Sequence, residues 1–149
     1  MENLDIVRIY EEASEMSLVA KKDRAEDLFL DLVDAIRYNL ESGSDEQAKC
    51  MLYAFFYKVY SLSIDENSIH MLRFINHICF LQMSIDELVV FLEENYDNYY
   101  ENYTNYHRHY SSVDSRNKLA YLAVLLVESK GTPQPKKEEL DYLNQIVFE

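Results

Sequence analysis

The sequence predicts an all-α fold, a compact single-domain bundle of about six or seven helices over residues 1–149. Three observations carry that expectation. Glycine and proline are confined to Gly43, Gly131, Pro133 and Pro135, so the tight hairpin turns of a sheet protein have almost no residues to build them. Ser44-x-x-Gln47, Ser63-x-x-Glu66 and Ser84-x-x-Glu87 each have the form in which a serine and a Glu or Gln satisfy each other's free backbone donors at a helix start. Apolar residues recur every three or four positions, the period that lays a stripe along one side of a helix.

On these signals helices are predicted over 3–20, 24–42, 45–61, 65–82, 85–109, 114–130 and 136–147. Gly43 and Gly131 stand where helices should stop, and Pro135 suits the first turn of the last one. In the third segment Ala48, Met51, Leu52, Phe55 and Val59 form one apolar face and Tyr53, Tyr57 and Tyr60 another, which predicts a helix packed on two sides. The fourth, with Met71, Leu72, Phe74, Ile75, Ile78 and Leu81, is broadly apolar. The run from Leu119 to Val127 is apolar all round but far shorter than the roughly 20 residues that span a bilayer, so it reads as a central core helix. SIDEN at 63–67 and SIDEL at 84–88 share helix-start chemistry and nothing beyond it, so no repeat architecture follows.

With 48% hydrophobic residues the chain is too apolar for disorder, and a bury-able fraction of about 70% of its unfolded surface is normal for one domain of this size. The opening MENLDIVRIYEE has acids where an export signal would need a basic stretch and then an apolar one. Cys50 and Cys79, each within an apolar helical pattern and without a CxxC, read as buried thiols in a reducing compartment. A cytoplasmic location is expected. The 27 acids against 14 bases, a net charge of −13, disfavour direct contact with nucleic acid or an anionic membrane and favour a basic protein partner.

Motifs for chemistry are sparse. Two isolated glycines cannot form the loops that cradle phosphate, and neither GxSxG nor HExxH occurs. The one mixed polar stripe is Glu66, His70, Arg73 and His77 on one side of the predicted 65–82 helix, which offers acid–base groups beside a cation. His70 and His77 lie ~10.5 Å apart along a helix axis, too far to share one metal ion, so neither a metal nor a cofactor is expected. In RFINH, Arg73 and His77 stand closer than the Arg and His of the helical HEPN ribonucleases, so that family's chemistry is not carried over. His107 and His109 point to different sides of a helix and read as solvent-exposed or interface residues. The final segments, RNKLAYLAVLLVESKG and PKKEELDYLNQI, resemble the closing helix pair of TerB-like tellurite-resistance domains over less than a quarter of the chain. Lys130-Gly131 replaces that family's acidic loop, so its metal binding does not transfer.

Two faces of the chain are unusual. In the 85–109 segment Ile85, Leu88 and Leu92 lead into Tyr96, Tyr99, Tyr103, Tyr106 and Tyr110 along one seam, with Tyr100 beside it. A buried phenol without a hydrogen-bond partner costs about 1–3 kcal/mol, so a seam of phenols reads as a half-wet surface of the kind interfaces use. Opposite it stand Glu94, Asp97 and Glu101, and the 24–42 segment carries Asp27, Asp31, Asp34 and Glu41 around Tyr38. Carboxylates at ~6 Å intervals along a helix imitate a nucleic-acid backbone. The expected function is therefore a non-enzymatic inhibitor or adaptor of the immunity, anti-defence or DNA-mimic type. Its partner-binding residues would be Tyr96, Tyr99, Tyr100, Tyr103, Tyr106, Glu94, Asp97, Glu101, Asp27, Asp31, Asp34 and Tyr38. The alternatives are a small helical nuclease or hydrolase using Glu66, His70, Arg73 and His77, and a homodimer formed through the tyrosine seam.

Overall fold

The computed structural model describes residues 3, 5–41, 43–60, 84–128 and 137–148. These form six helices and no strand: α1 (Ile6–Ser14), α2 (Leu18–Tyr38), α3 (Asp45–Tyr60), α4 (Ile85–Tyr110), α5 (Val113–Glu128) and α6 (Lys137–Phe148). The protein is all-α, as its punctuation and periodicity predict. The predicted 65–82 helix, with Cys79 and the Met71–Leu81 face, lies outside the described residues, as do Gly131, Pro133 and Pro135.

Short polar side chains set the helix starts. Ser44 Oγ accepts the Gln47 amide at 3.2 Å and Ser84 Oγ the Glu87 amide at 3.1 Å, so two of the three predicted capping serines perform that role. The predicted 3–20 helix is instead two helices. Asp5 caps α1 by accepting from the amides of Val7 and Arg8. The Glu15 and Met16 amides then turn back to the carbonyls of Glu12 and Ala13, which tightens and ends the helix. Ser17, in extended backbone, starts α2 by accepting the Ala20 amide at 3.1 Å. Because the residue three beyond Ser17 is Ala20, the segment lacks the Glu or Gln that marks a capping box in sequence.

At its other end α2 stops at Tyr38, short of Gly43. The Asn39 and Leu40 amides reach the carbonyls of Ile36 and Arg37, and Asn39 Nδ2 donates to the Ala35 carbonyl at 3.0 Å, so this asparagine supplies the end of the helix. Gly43 turns the chain toward α3 with a φ of 60°, a left-handed conformation that favours glycine.

Packing follows the apolar faces. The α3 helix lies between α2 and α4, and α5 is bracketed by α1, α2 and α6. That position explains why α3 buries Ala48, Cys50, Met51, Leu52, Ala54, Phe55 and Phe56, more than one stripe. Ala48, Met51, Leu52 and Phe55 of the predicted apolar face are buried, and Cys50 is buried as expected. The side chains of Val59 and of the predicted tyrosine face, Tyr53, Tyr57 and Tyr60, lie outside the described residues. The core is joined across elements by Phe55, whose ring lies 5.4 Å from that of Phe56 and 4.9 Å from that of Tyr103 on α4. In α5 Leu119, Ala120, Leu122, Ala123, Val124 and Leu125 are all buried, the central role the apolar run predicts. Each large apolar side chain so enclosed contributes about 1.5–3 kcal/mol relative to exposure, and this burial holds the bundle together. Among the described residues no helix is long and apolar enough to cross a membrane.

Candidate partner-binding face

The α4 helix is 26 residues long, or ~39 Å at 1.5 Å per residue, and its two sides have opposite characters. The inward side carries tyrosines. Tyr103 and Tyr106 are 3% and 6% exposed and belong to the core, while Tyr99 and Tyr100 are half-buried against it. The half-wet seam read from the sequence therefore does not hold at Tyr103 and Tyr106. Their rings fill the space where α4 meets α3 and α5, with Tyr103 against Phe55 and Tyr106 6.1 Å from Tyr103. Burial pushes the Tyr103 phenol well above its ordinary pKa, with the neighbouring Tyr106 adding to the effect. Burial raises Tyr106 as well, opposed by a hydrogen bond with Ser115. At the end of α4 Tyr110 is exposed. The Tyr96 side chain lies outside the described residues.

His107 also departs from its expected exposure. It is half-buried, with Nε2 3.0 Å from the Val147 carbonyl and Nδ1 3.5 Å from the Tyr103 hydroxyl. A partner forty residues along the chain leaves no trace in local periodicity. Next to it, Arg116 closes the two-residue connection between α4 and α5, donating through Nη2 to the His107 carbonyl and through Nε to Ser111 Oγ. His109 is exposed, as expected.

The outward side of α4 carries Glu94, Asp97 and Glu101, all exposed. Among the described residues no cation forms an ion pair with any of the three. Beyond Glu101 the same side presents a shallow depression of about 520 Å³ lined by Tyr100, Glu101, Asn102, Thr104, Asn105 and Arg108.

The α2 acids differ in their surroundings. Asp31 pairs with Lys118 of α5 at 3.3 Å, and Lys118 also pairs with Asp114 at 3.2 Å. Hydrogen bonding to Asp114, helped by Asp31, holds the Lys118 ammonium above its ordinary pKa. Asp34 pairs with Arg37 at 3.2 Å, and Arg37 also clamps Asp45 at the start of α3 at 2.6 Å. Asp27 and Glu41 are exposed without a described cation, and Tyr38 is 89% exposed, an unusual position for a large ring.

Two shallow depressions lie on these parts of the surface. One, of about 620 Å³, is lined by Asp34, Arg37, Tyr38, Leu40, Glu41 and Gly43. The next, of about 290 Å³, is lined by Ser44, Gln47, Asn98, Tyr99 and Asn102. Gly43 of the first and Ser44 of the second are consecutive in the α2–α3 turn. Asp31 and Asp27 lie about two and three turns back from the end of α2, toward its start. Sequence reading missed the asparagines Asn98 and Asn102, which line the second depression. Their only signal was their place one residue after Asp97 and Glu101.

The alternative stripe of Glu66, His70, Arg73 and His77 lies outside the described residues. Among those described, no group of three or more His, Cys, Asp or Glu side chains could hold a metal ion. The surface is chemically a display of carboxylates, amides and the exposed phenol of Tyr38, with the guanidiniums of Arg37 and Arg108 among them, suited to hydrogen bonding and charge complementarity. Comparison with protein-family models, with curated proteins and with solved structures finds no match to this chain.

Proposed function

We propose that this chain is a non-enzymatic acidic interaction module, an inhibitor or adaptor of the immunity, anti-defence or DNA-mimic type, that binds a basic protein. The observation that carries the reading is the run of Glu94, Asp97 and Glu101, exposed on α4 and meeting no cation among the described residues. Like charges at helical neighbour spacing destabilise a helix by a few tenths of a kcal/mol per pair, and a protein that retains them unneutralised gains a field directed at a cationic partner.

The contact surface in this reading comprises Glu94, Asp97, Glu101, Asn98 and Asn102 on α4, continuing to Glu41 and Tyr38 at the end of α2. Tyr99 and Tyr100 flank it with partly exposed rings. Tyr38 supplies the aromatic anchor, because a rigid ring loses little entropy when covered and its hydroxyl remains free to bond at the rim. Asp31 and Asp34, already paired with Lys118 and Arg37, contribute weakly, since a partner's cation must compete with those pairs. Tyr103 and Tyr106 act from the core, fixing the α4 backbone on which the acids stand.

The test is capture of the partner from the native cell, its identification by mass spectrometry, and rebinding to the Glu94→Lys, Asp97→Lys, Glu101→Lys triple variant. The expected result is a basic partner whose capture is abolished while the helical circular dichroism is unchanged. Undiminished capture by the triple variant would refute the assignment.

A further inference from the structure

The outward side of α4 has an order of charge as well as an excess of it. Glu94, Asn98, Glu101, Asn105 and Arg108 follow one another at alternating steps of four and three residues, which lays them along one side of the helix. All five are exposed, and no hydrogen bond or ion pair of their side chains exists among the described residues. The stripe runs ~21 Å, about four turns. Its carboxylates stand toward the start, with Asp97 beside them, and its one cation stands at the far end. Glu101 and Arg108, ~10.5 Å apart along the axis, line the same depression of about 520 Å³ with Asn102 and Asn105.

This order restricts what can lie along the stripe. A uniformly basic segment would set a cation against Arg108, and like charges in contact count against a wrong partner. A helix dipole favours acids in the first turn and bases in the last, and α4 follows that rule with Asp86 and Glu87 at one end and His107, Arg108 and His109 at the other. A partner helix built by the same rule therefore matches α4 only when it runs the opposite way. Its bases then meet Glu94, Asp97 and Glu101, and its first-turn acid meets Arg108. Run parallel, the same helix would set its acid on Glu94. A second copy of α4 laid antiparallel would pair Arg108 with Glu94 at both ends. It would also press Glu101 on Glu101 at the centre, between two chains of net charge −13. A separate basic helix escapes that repulsion.

We propose that the outward stripe of α4 takes a basic helix running antiparallel to it, with Arg108 fixing the direction by pairing with an acid in that helix's first turn. The inference rests on the reading of α4 as the face for a basic partner and adds the shape and charge order of that partner. Asn98 and Asn105, between the charges, offer amides to its polar side chains. The role of Arg108 has opposite sign in the two cases. If negative charge alone governed binding, Arg108→Glu would tighten it. If the order of charge governs, the same change weakens binding, because it turns the one attraction at that end into a repulsion.

Two alanine-based helical peptides of identical composition, each about 18 residues or ~27 Å long, serve as probes in an NMR titration of the full chain at low salt. The first carries Glu in its first turn and Lys seven, eleven and fourteen residues later, the mirror of Arg108, Glu101, Asp97 and Glu94. In the second the Glu and the nearest Lys are exchanged. The chain should bind the first at least about threefold more tightly, the size of one exposed ion pair. Arg108→Glu should erase that preference with the circular dichroism unchanged, which separates it from any difference in helicity between the peptides. A nitroxide in the first turn of the first peptide should broaden the amides around Arg108 and not those around Glu94. Equal affinity for the two peptides, a preference that survives in Arg108→Glu, or broadening at the Glu94 end would each overturn the inference and leave the basic-partner reading standing. Binding of neither peptide would also overturn it, and the triple lysine variant then decides that reading on its own. A doubled mass in light scattering, abolished by Arg108→Glu, would give the stripe to a second copy instead.

Discussion

Tyr103 shows how one side chain can look like surface chemistry and act as packing. In the sequence it belongs to a seam of phenols, and residue type alone places such a seam at a wet boundary. In the fold its ring is enclosed between Phe55 and Tyr106, and its hydroxyl has one described partner, His107, at the long distance of 3.5 Å. A hydrogen bond of that length contributes little, whereas an enclosed ring contributes through area and close contacts. Tyr103→Phe should therefore cost no more than about 1 kcal/mol, and Tyr103→Ala about 3–5 kcal/mol, in urea unfolding. Equal losses in the two variants would mean that the hydroxyl, not the ring, holds α4 to α3. The same contrast explains what the sequence could not reveal about His107, whose position is decided by a carbonyl on a helix that only folding brings near.

At the scale of the element, legibility followed locality. The starts of α3 and α4 could be read because Ser44 and Ser84 bond amides three residues away and carry the matching Gln47 and Glu87. The break between α1 and α2 is equally local in its physics, yet its cap has no such companion. Ser17 alone, among polar and apolar residues that would continue a helix, gives too little contrast to mark a boundary. If that cap positions α2, Ser17→Ala should lower stability by about 1 kcal/mol while Ser17→Gly costs only a few tenths, measured by chemical unfolding. An unchanged stability in Ser17→Ala would show that tertiary packing alone fixes the start of α2. Faces were legible for the same reason as caps. The broad burial of Ala48 to Phe56 in α3 and of Leu119 to Leu125 in α5, Tyr121 half-buried among them, follows from apolar patterning, which needs no knowledge of the partner helix.

Taken as a whole, the molecule carries its charge unevenly. Lys118 and Arg37 each serve two acids, so part of the α2 surface is neutralised from within, whereas Glu94, Asp97 and Glu101 on α4 meet no cation among the described residues. Composition predicts the net charge of −13 and cannot predict which acids the cations reach, because Lys118 meets Asp31 only through the packing of α5 on α2. Self-repulsion at this net charge destabilises the compact state and is screened by salt over a Debye length of about 10 Å at 0.1 M. The thermal midpoint should therefore rise as sodium chloride is raised from about 10 to 150 mM, and a midpoint that falls would indicate that internal ion pairs outweigh repulsion.

The central claim is that one face, and not the overall charge, takes a basic partner. It is tested most directly by titrating the captured partner against two charge-matched variants. One carries Glu94→Lys, Asp97→Lys and Glu101→Lys on α4. The other carries Glu11→Lys, Glu15→Lys and Asp23→Lys, exposed positions on and between α1 and α2. Each acid-to-lysine change adds two units of charge, so both variants have the same net charge. The account predicts that the first loses at least tenfold in affinity and the second stays within about threefold of the original chain. Equal losses in both would mean that only net charge matters, and no loss in the first would leave the α4 face without a role.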